Sequence, residues 1–170
     1  MDIRTELPKL DVKNAETGCC PRFDPAPWDD AVFDLNKFTF MGTQTKSFMY
    51  VPVNMGSVFT KAMKTIDDAG AVDPDRYLIL SRDLSPWKAE HHFLVTKDVP
   101  GMPRSDLAGK YYARVYEGPF KDMPRWMADF SAKAAAKGAS TGAVYAFYTT
   151  CPKCAKAYGK NYVVLFGRLA

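Results

Sequence analysis

Two clusters of residues in this chain have the types and spacing that chemistry needs. Cys151-Pro152-Lys153-Cys154 sets two thiols at the spacing that lets one turn present both to a metal ion. Cys19-Cys20 adds an adjacent pair at the other end of the chain. Together Cys19, Cys20, Cys151 and Cys154 would make a tetrahedral four-thiolate zinc site. Adjacent cysteines fit one ion poorly, so one thiol of that pair with His91 or His92 is an alternative ligand set. The Cys-x-x-Cys also leads from a strand into the helical-looking Ala155-Lys156-Ala157-Tyr158, the local order of a dithiol redox motif, with Lys153 available to lower a thiol pKa. Reduced cysteines that only pack are the third reading.

The second cluster is Glu90-His91-His92. Neighbours on a strand point to opposite faces, so the two histidines cannot share an ion, and one at most lines a site. A Ser-His-Asp arrangement would need a histidine beside Ser57, Ser81 or Ser85. The sequence has no Gly-x-Ser-x-Gly elbow, P-loop or dinucleotide Gly-x-Gly-x-x-Gly.

The elements that must position these groups fall into an arm and two similar halves. A chain of 170 residues fits one domain and can bury a core without disulfides. Residues 1–42 read as an irregular arm. Pro21, Pro25 and Pro27 exclude a regular helix or central strand there. Phe23, Trp28, Val32, Phe33, Leu35, Phe38 and Phe40 make that arm too apolar to float free, so it should drape over the domain. From residue 43 the pattern is strand (45–53), helix with Val58, Phe59, Ala62, Met63 and Ile66 on one face, then two strands (76–82 and 90–98). Asn54 is the expected N-cap and Gly70 the stop. The order recurs as a strand at 110–117, a helix with Met123, Trp126, Met127 and Phe130 ending at Gly138, and strands at 143–150 and 161–169. The fold expected is therefore α+β. Duplicated β-α-β-β units (repeat one 43–100, repeat two 108–170) form one mainly antiparallel sheet with both helices on one face.

Period-two alternation then assigns the open face. Phe93 and Val95 should face a helix, leaving Glu90, His92 and Leu94 open. Met49, Val51 and Val53 should face a helix, leaving Phe48 and Tyr50. Ala113 and Val115 should do so in the second half, leaving Tyr112, Arg114 and Tyr116; Val144 and Ala146 leave Tyr145 and Phe147. With Trp87, the result is an aromatic surface around Glu90, His92 and Arg114, the usual make-up of a small-molecule pocket. A carboxylate there would attract a cationic ligand, with cation–π help from the rings. The competing expectation is that the arm simply fills this face. The aromatic share of 14% suits either outcome.

The tandem order, with the turn Tyr116-Glu117-Gly118-Pro119-Phe120 entering the second helix, is similar to the GyrI-like small-molecule-binding family over residues 43–170. That resemblance implies a ligand cleft on the sheet, lined by aromatics and a buried carboxylate, for which Glu90 is the first carry-over and Glu117 the second. It also implies a stand-alone binder or a hydrolase of electrophilic small molecules. In the hydrolase version Glu90 or Glu117 activates water while Tyr112 or Tyr145 donates a proton. No cofactor is required for that reading; zinc enters only with the alternative, a metal- or thiol-handling protein built on the cysteines.

Charge and hydropathy bound the partners. The net charge of +4 is interspersed rather than gathered into a basic stripe, which argues against nucleic acid. No segment approaches the ~18 apolar residues of a spanning helix, and no secretory h-region opens the chain. A cytoplasmic, membrane-free protein with reduced thiols is expected, its partner a small molecule. Edge strands and the arm's aromatics leave a homodimer open.

Overall fold

The computed structural model describes residues 2–10 and 20–170. Its strands are β1 (Ile3–Arg4), β2 (Ala31–Asp34), β3 (Thr39–Phe48), β4 (Val51–Pro52), β5 (Ile79–Ser85), β6 (Lys88–Val95), β7 (Lys110–Glu117), β8 (Ala139–Tyr148) and β9 (Tyr162–Leu169). Its helices are α1 (Met55–Asp68), α2 (Met123–Ala136) and α3 (Pro152–Tyr158). The class is α+β with mainly antiparallel pairing. The chain divides into two compact units, Lys37–Ala108 and the segments Met1–Asn36 plus Gly109–Ala170.

In the Lys37–Ala108 unit β6 lies between β5 and β3, antiparallel to both. Helix α1 covers one sheet face because Ala62 and Ile66 recur at helical spacing and pack with Met41, Ile79, Phe93 and Val95. Asn54 precedes α1 but does not cap it with its side chain. Its Oδ1 instead accepts the Lys46 N–H at 2.7 Å, tying the helix entry to β3. Gly70 ends the helix with φ +64°, as expected of a glycine stop. The first strand of this unit differs from expectation. It runs Thr39–Phe48, turns at Met49 and Tyr50 (φ +49° and +70°), and returns as the short β4. Met49, Val51 and Val53 are consequently exposed rather than packed under α1. The chain reverses where an uninterrupted strand was expected, and alternation cannot be carried through a turn.

In the other unit β9 lies between β7 and β8, again antiparallel to both. Each unit thus has a first strand, a helix, and a hydrogen-bonded pair whose last strand sits centrally. Helix α2 packs Trp126, Phe130 and Ala134 onto Tyr112, Ala146, Val163 and Leu165. Gly167 permits this approach, since a Cβ there would lie 3.1 Å from the Phe130 ring. The arm adds β2 to the outer edge of β7, pairing Phe33 with Tyr111 and Val32 with Tyr112. On the face away from α2, Trp28 lies 5.5 Å from both Phe33 and Phe147 and 6.3 Å from Phe166. Phe23 closes the cluster against Phe147 and Tyr162. In this unit the arm fills the sheet face.

Candidate functional site

The face of β6 away from α1 carries Glu90 and His92, because Phe93 and Val95 are committed to the helix side. Across the sheet Gly42 is in register with His92 and Gln44 with Glu90 on β3, while Arg82 on β5 is in register with Glu90. The chain after β6 returns along the outer edge of β3. There the Ser105 N–H donates to Phe40 O and the Gly42 N–H to Pro103 O, both at 2.8 Å. This pairing puts Ser105 on the same face as His92, with Gly42 between them. A Cβ on Gly42 would sit 3.1 Å from Ser105 Oγ and 3.7 Å from His92 Nδ1. With only hydrogen there, His92 Nδ1 and Ser105 Oγ meet at 2.6 Å. On the other side of the ring, Nε2 lies 3.3 Å from Glu90 Oε1. Arg82 forms an ion pair with that same oxygen. Four polar side chains therefore run in a row, Arg82, Glu90, His92 and Ser105.

Burial lowers the His92 pKa from its ordinary value, and the opposing pull of Glu90 is the smaller effect. His92 is therefore neutral at pH 7, with one unprotonated ring nitrogen that can act as a base. The consistent tautomer has the Nδ1 lone pair facing the Ser105 hydroxyl and the proton on Nε2, which lies 3.3 Å from Glu90 Oε1 without hydrogen-bond geometry. Glu90, His92 and Ser105 line part of a hollow of about 570 Å³ that wraps the β3 edge, so that its lining also takes in Thr65 and Lys61 of α1 and Arg104, which pairs with Met41 on the helix side. A hydroxyl, a neutral imidazole in contact with it, and a carboxylate behind the imidazole are the parts used in acyl transfer through a serine.

His91 takes the opposite environment. It is 1% exposed on the helix side, held between Thr45 Oγ1 at 2.8 Å and Ser81 Oγ at 2.7 Å, with Phe59 edge-on at 4.8 Å. Burial pushes its pKa down to about 4. Ser81, one of the serines a Ser-His-Asp arrangement would have needed, thus satisfies a core imidazole away from the cleft. Ser105 was not among the serines named as possible histidine partners. It lies in a proline- and glycine-containing loop 13 residues beyond His92, and only the edge pairing with β3 brings it in.

The remaining expected site residues are dispersed. Phe48, Tyr50 and Trp87 sit at exposed hairpin tips, Phe48 and Trp87 edge to face at 5.6 Å, and none lines the cleft. Tyr112 and Tyr116 do not look onto an open face. They stack on Phe130 and Trp126 beneath α2, at 5.7 and 5.8 Å. The alternation was inverted on β7 because the small Ala113 and Val115 are turned toward the arm side, leaving the larger pair to fill the space under the helix. The Tyr112 hydroxyl donates to Asp30 and that of Tyr116 to Asp129, each at 2.7 Å. Burial, reinforced by the Asp30 bond, pushes the Tyr112 phenol up to about 12, which unsuits it as a proton donor near neutrality. Tyr116 shifts upward through burial and its bond to Asp129. Arg114 shares their side, 3.9 Å from Asp129. Tyr145 and Phe147 do face away from α2, as expected, and are buried there, Phe147 against Phe23 and Trp28. Glu117 is exposed, beside a shallow hollow of about 360 Å³ that also contains Gly118 and Lys160.

The cysteines converge. Cys20, Cys151 and Cys154 place their sulfurs within 4.8 Å of one another, with Cys154 fully buried. None of the three is in a disulfide. Cys19 lies outside the described residues. Among those residues, no helix is long and apolar enough to cross a membrane.

The chain belongs to the bacterial hydrolase family, whose sequence model matches residues 10–169. That span takes in the serine–histidine cleft and all four cysteines. No curated protein matches the chain.

Proposed function

We propose that the protein hydrolyses small ester-like electrophiles in the Lys37–Ala108 cleft, with Ser105 as nucleophile, His92 as general base and Glu90 as its orienting carboxylate. The carrying observation is the 2.6 Å contact between His92 Nδ1 and Ser105 Oγ, backed by Glu90 at 3.3 Å and open to the cleft. As Ser105 Oγ attacks the acyl carbon, its proton passes to Nδ1. The imidazolium is stabilised by Glu90 and then protonates the departing alcohol; water repeats the sequence to free the acid. The family description supports hydrolysis, and the shared strand order of the two units supports a duplicated, GyrI-like scaffold for it.

The test is turnover of an aryl acetate panel, together with labelling by a fluorophosphonate. Ser105→Ala should remove both the label and at least ~10³-fold of the rate. Unchanged turnover in that variant would overturn the serine assignment. If Glu90→Gln alone abolished the rate, water activation by Glu90 would take its place.

A further inference from the structure

We propose that Cys20, Cys151 and Cys154 form a thiolate zinc site that fastens the arm to the start of α3, a role separate from the hydrolytic cleft. The placement of the three sulfurs carries this. In a tetrahedral zinc site with Zn–S bonds near 2.3 Å, sulfurs lie roughly 3.8 Å apart. Separations within 4.8 Å require only a small inward rotation of side chains to close on an ion.

The local backbone has the form such a site needs. Cys151 is extended (φ −69°, ψ 159°) immediately before α3, so Cys151 and Cys154 flank its first turn. The Cys154 N–H donates to Cys151 Sγ at 3.5 Å, which holds that sulfur over the first turn of α3. The third sulfur comes from the arm, and its backbone is held independently. The Tyr158 hydroxyl donates to Cys20 O, and the Arg22 guanidinium lies 4.4 Å above the Tyr158 ring. The last turn of α3 thus grips the arm at the residue whose sulfur meets the first turn. A metal is a better account of this cluster than apolar packing. Cys20 and Cys151 are only half-buried, and three sulfurs from two distant segments meet at one point. Zinc suits the trio because it is borderline soft and imposes no geometry of its own; the fourth coordination position is left to a group outside it.

The experiment is metal analysis of the full chain purified under reducing conditions, followed by cobalt titration of the chelator-stripped protein. The expected result is ~1 zinc per chain, a thiolate-to-cobalt charge-transfer band on titration, and X-ray absorption dominated by sulfur near 2.3 Å. Cys154→Ser, the buried position, should abolish binding. Cys20→Ser, at a half-buried position where folding is least at risk, should weaken zinc retention at least tenfold. Arm cleavage by protease should accelerate in stripped wild-type protein and slow again on adding zinc. Metal-free protein without a cobalt band, unchanged retention in Cys20→Ser, or a disulfide among these cysteines under reducing purification would each overturn the proposal. Aryl acetate turnover plays no part in the readout, so failure here is distinct from failure of the serine assignment.

Discussion

The two units share a strand order yet treat the same place in opposite ways. Each has a first strand whose outer edge receives an extra segment, residues 103–105 on β3 and β2 on β7. On β7 that segment delivers Phe33 into a cluster with Trp28, Phe147 and Phe166. On β3 it delivers Ser105 to His92 across a glycine. A sheet face away from a helix has no fixed purpose. Whether it becomes core or site depends on what the neighbouring edge segment brings.

Removing the plug from the arm-bearing unit should have the largest effect. Trp28→Ala deletes a 3% exposed ring at the centre of that cluster, and a cost of about 3–5 kcal/mol is expected, measured by urea unfolding. Next comes His91. Its folded pKa, about 4, lies below the unfolded value near 6.5, so the unfolded chain binds the extra proton between them. The contribution is fully present above pH 6.5 and lost as pH falls toward 4, on the order of 3 kcal/mol. His92 is shifted in the same direction and adds to the trend. Unfolding curves across this window should therefore steepen the loss of stability, and His91→Gln should flatten it.

Gly42 gives a functional counterpart. Gly42→Val would push branches into the gap between Ser105 and His92, and turnover should fall about 10²-fold. Because valine suits a strand, the unfolding midpoint should move little; an equal loss of stability would mean that Gly42 serves packing instead. Turnover should also decline on the acid side once His92 is protonated, at a pH below the ordinary histidine value, as a pH–rate profile would read. The smallest effect belongs to Tyr112→Phe, which removes the bond to Asp30 and should cost about 1 kcal/mol while leaving turnover unchanged.

Legibility followed the one-sidedness of each strand. On β6 a single helix-facing set, Phe93 and Val95, contrasts with Glu90 and His92, so alternation places the polar pair correctly. On β7 both faces are buried, Tyr111 and Ala113 on one and Tyr112 on the other, so side-chain size says nothing about direction. Tyrosine adds its own ambiguity, because its ring can lie in the core while the hydroxyl reaches a carboxylate such as Asp30 or Asp129. Ser105 was illegible for another reason. No local periodicity marks a loop residue whose position comes from a hydrogen-bonded edge, and Gly42, the one hint, reads in sequence as an ordinary strand interruption. The Cys-x-x-Cys spacing marks Cys151 and Cys154 as a pair, but that Cys20 joins them is a matter of the tertiary fold, to which local spacing gives no clue.

The division into units also sets an order of events at the ribosome. Residues 37–108 are continuous, so their sheet can close as soon as β6 and the following loop have emerged. The other unit is split: β2 must wait for β7, and Phe23 and Trp28 for β8 and β9. Through most of synthesis the arm is an apolar tether with no surface to join. Its six charged residues from Arg22 to Lys37, namely Arg22, Asp24, Asp29, Asp30, Asp34 and Lys37, keep that waiting segment hydrated until its partners arrive.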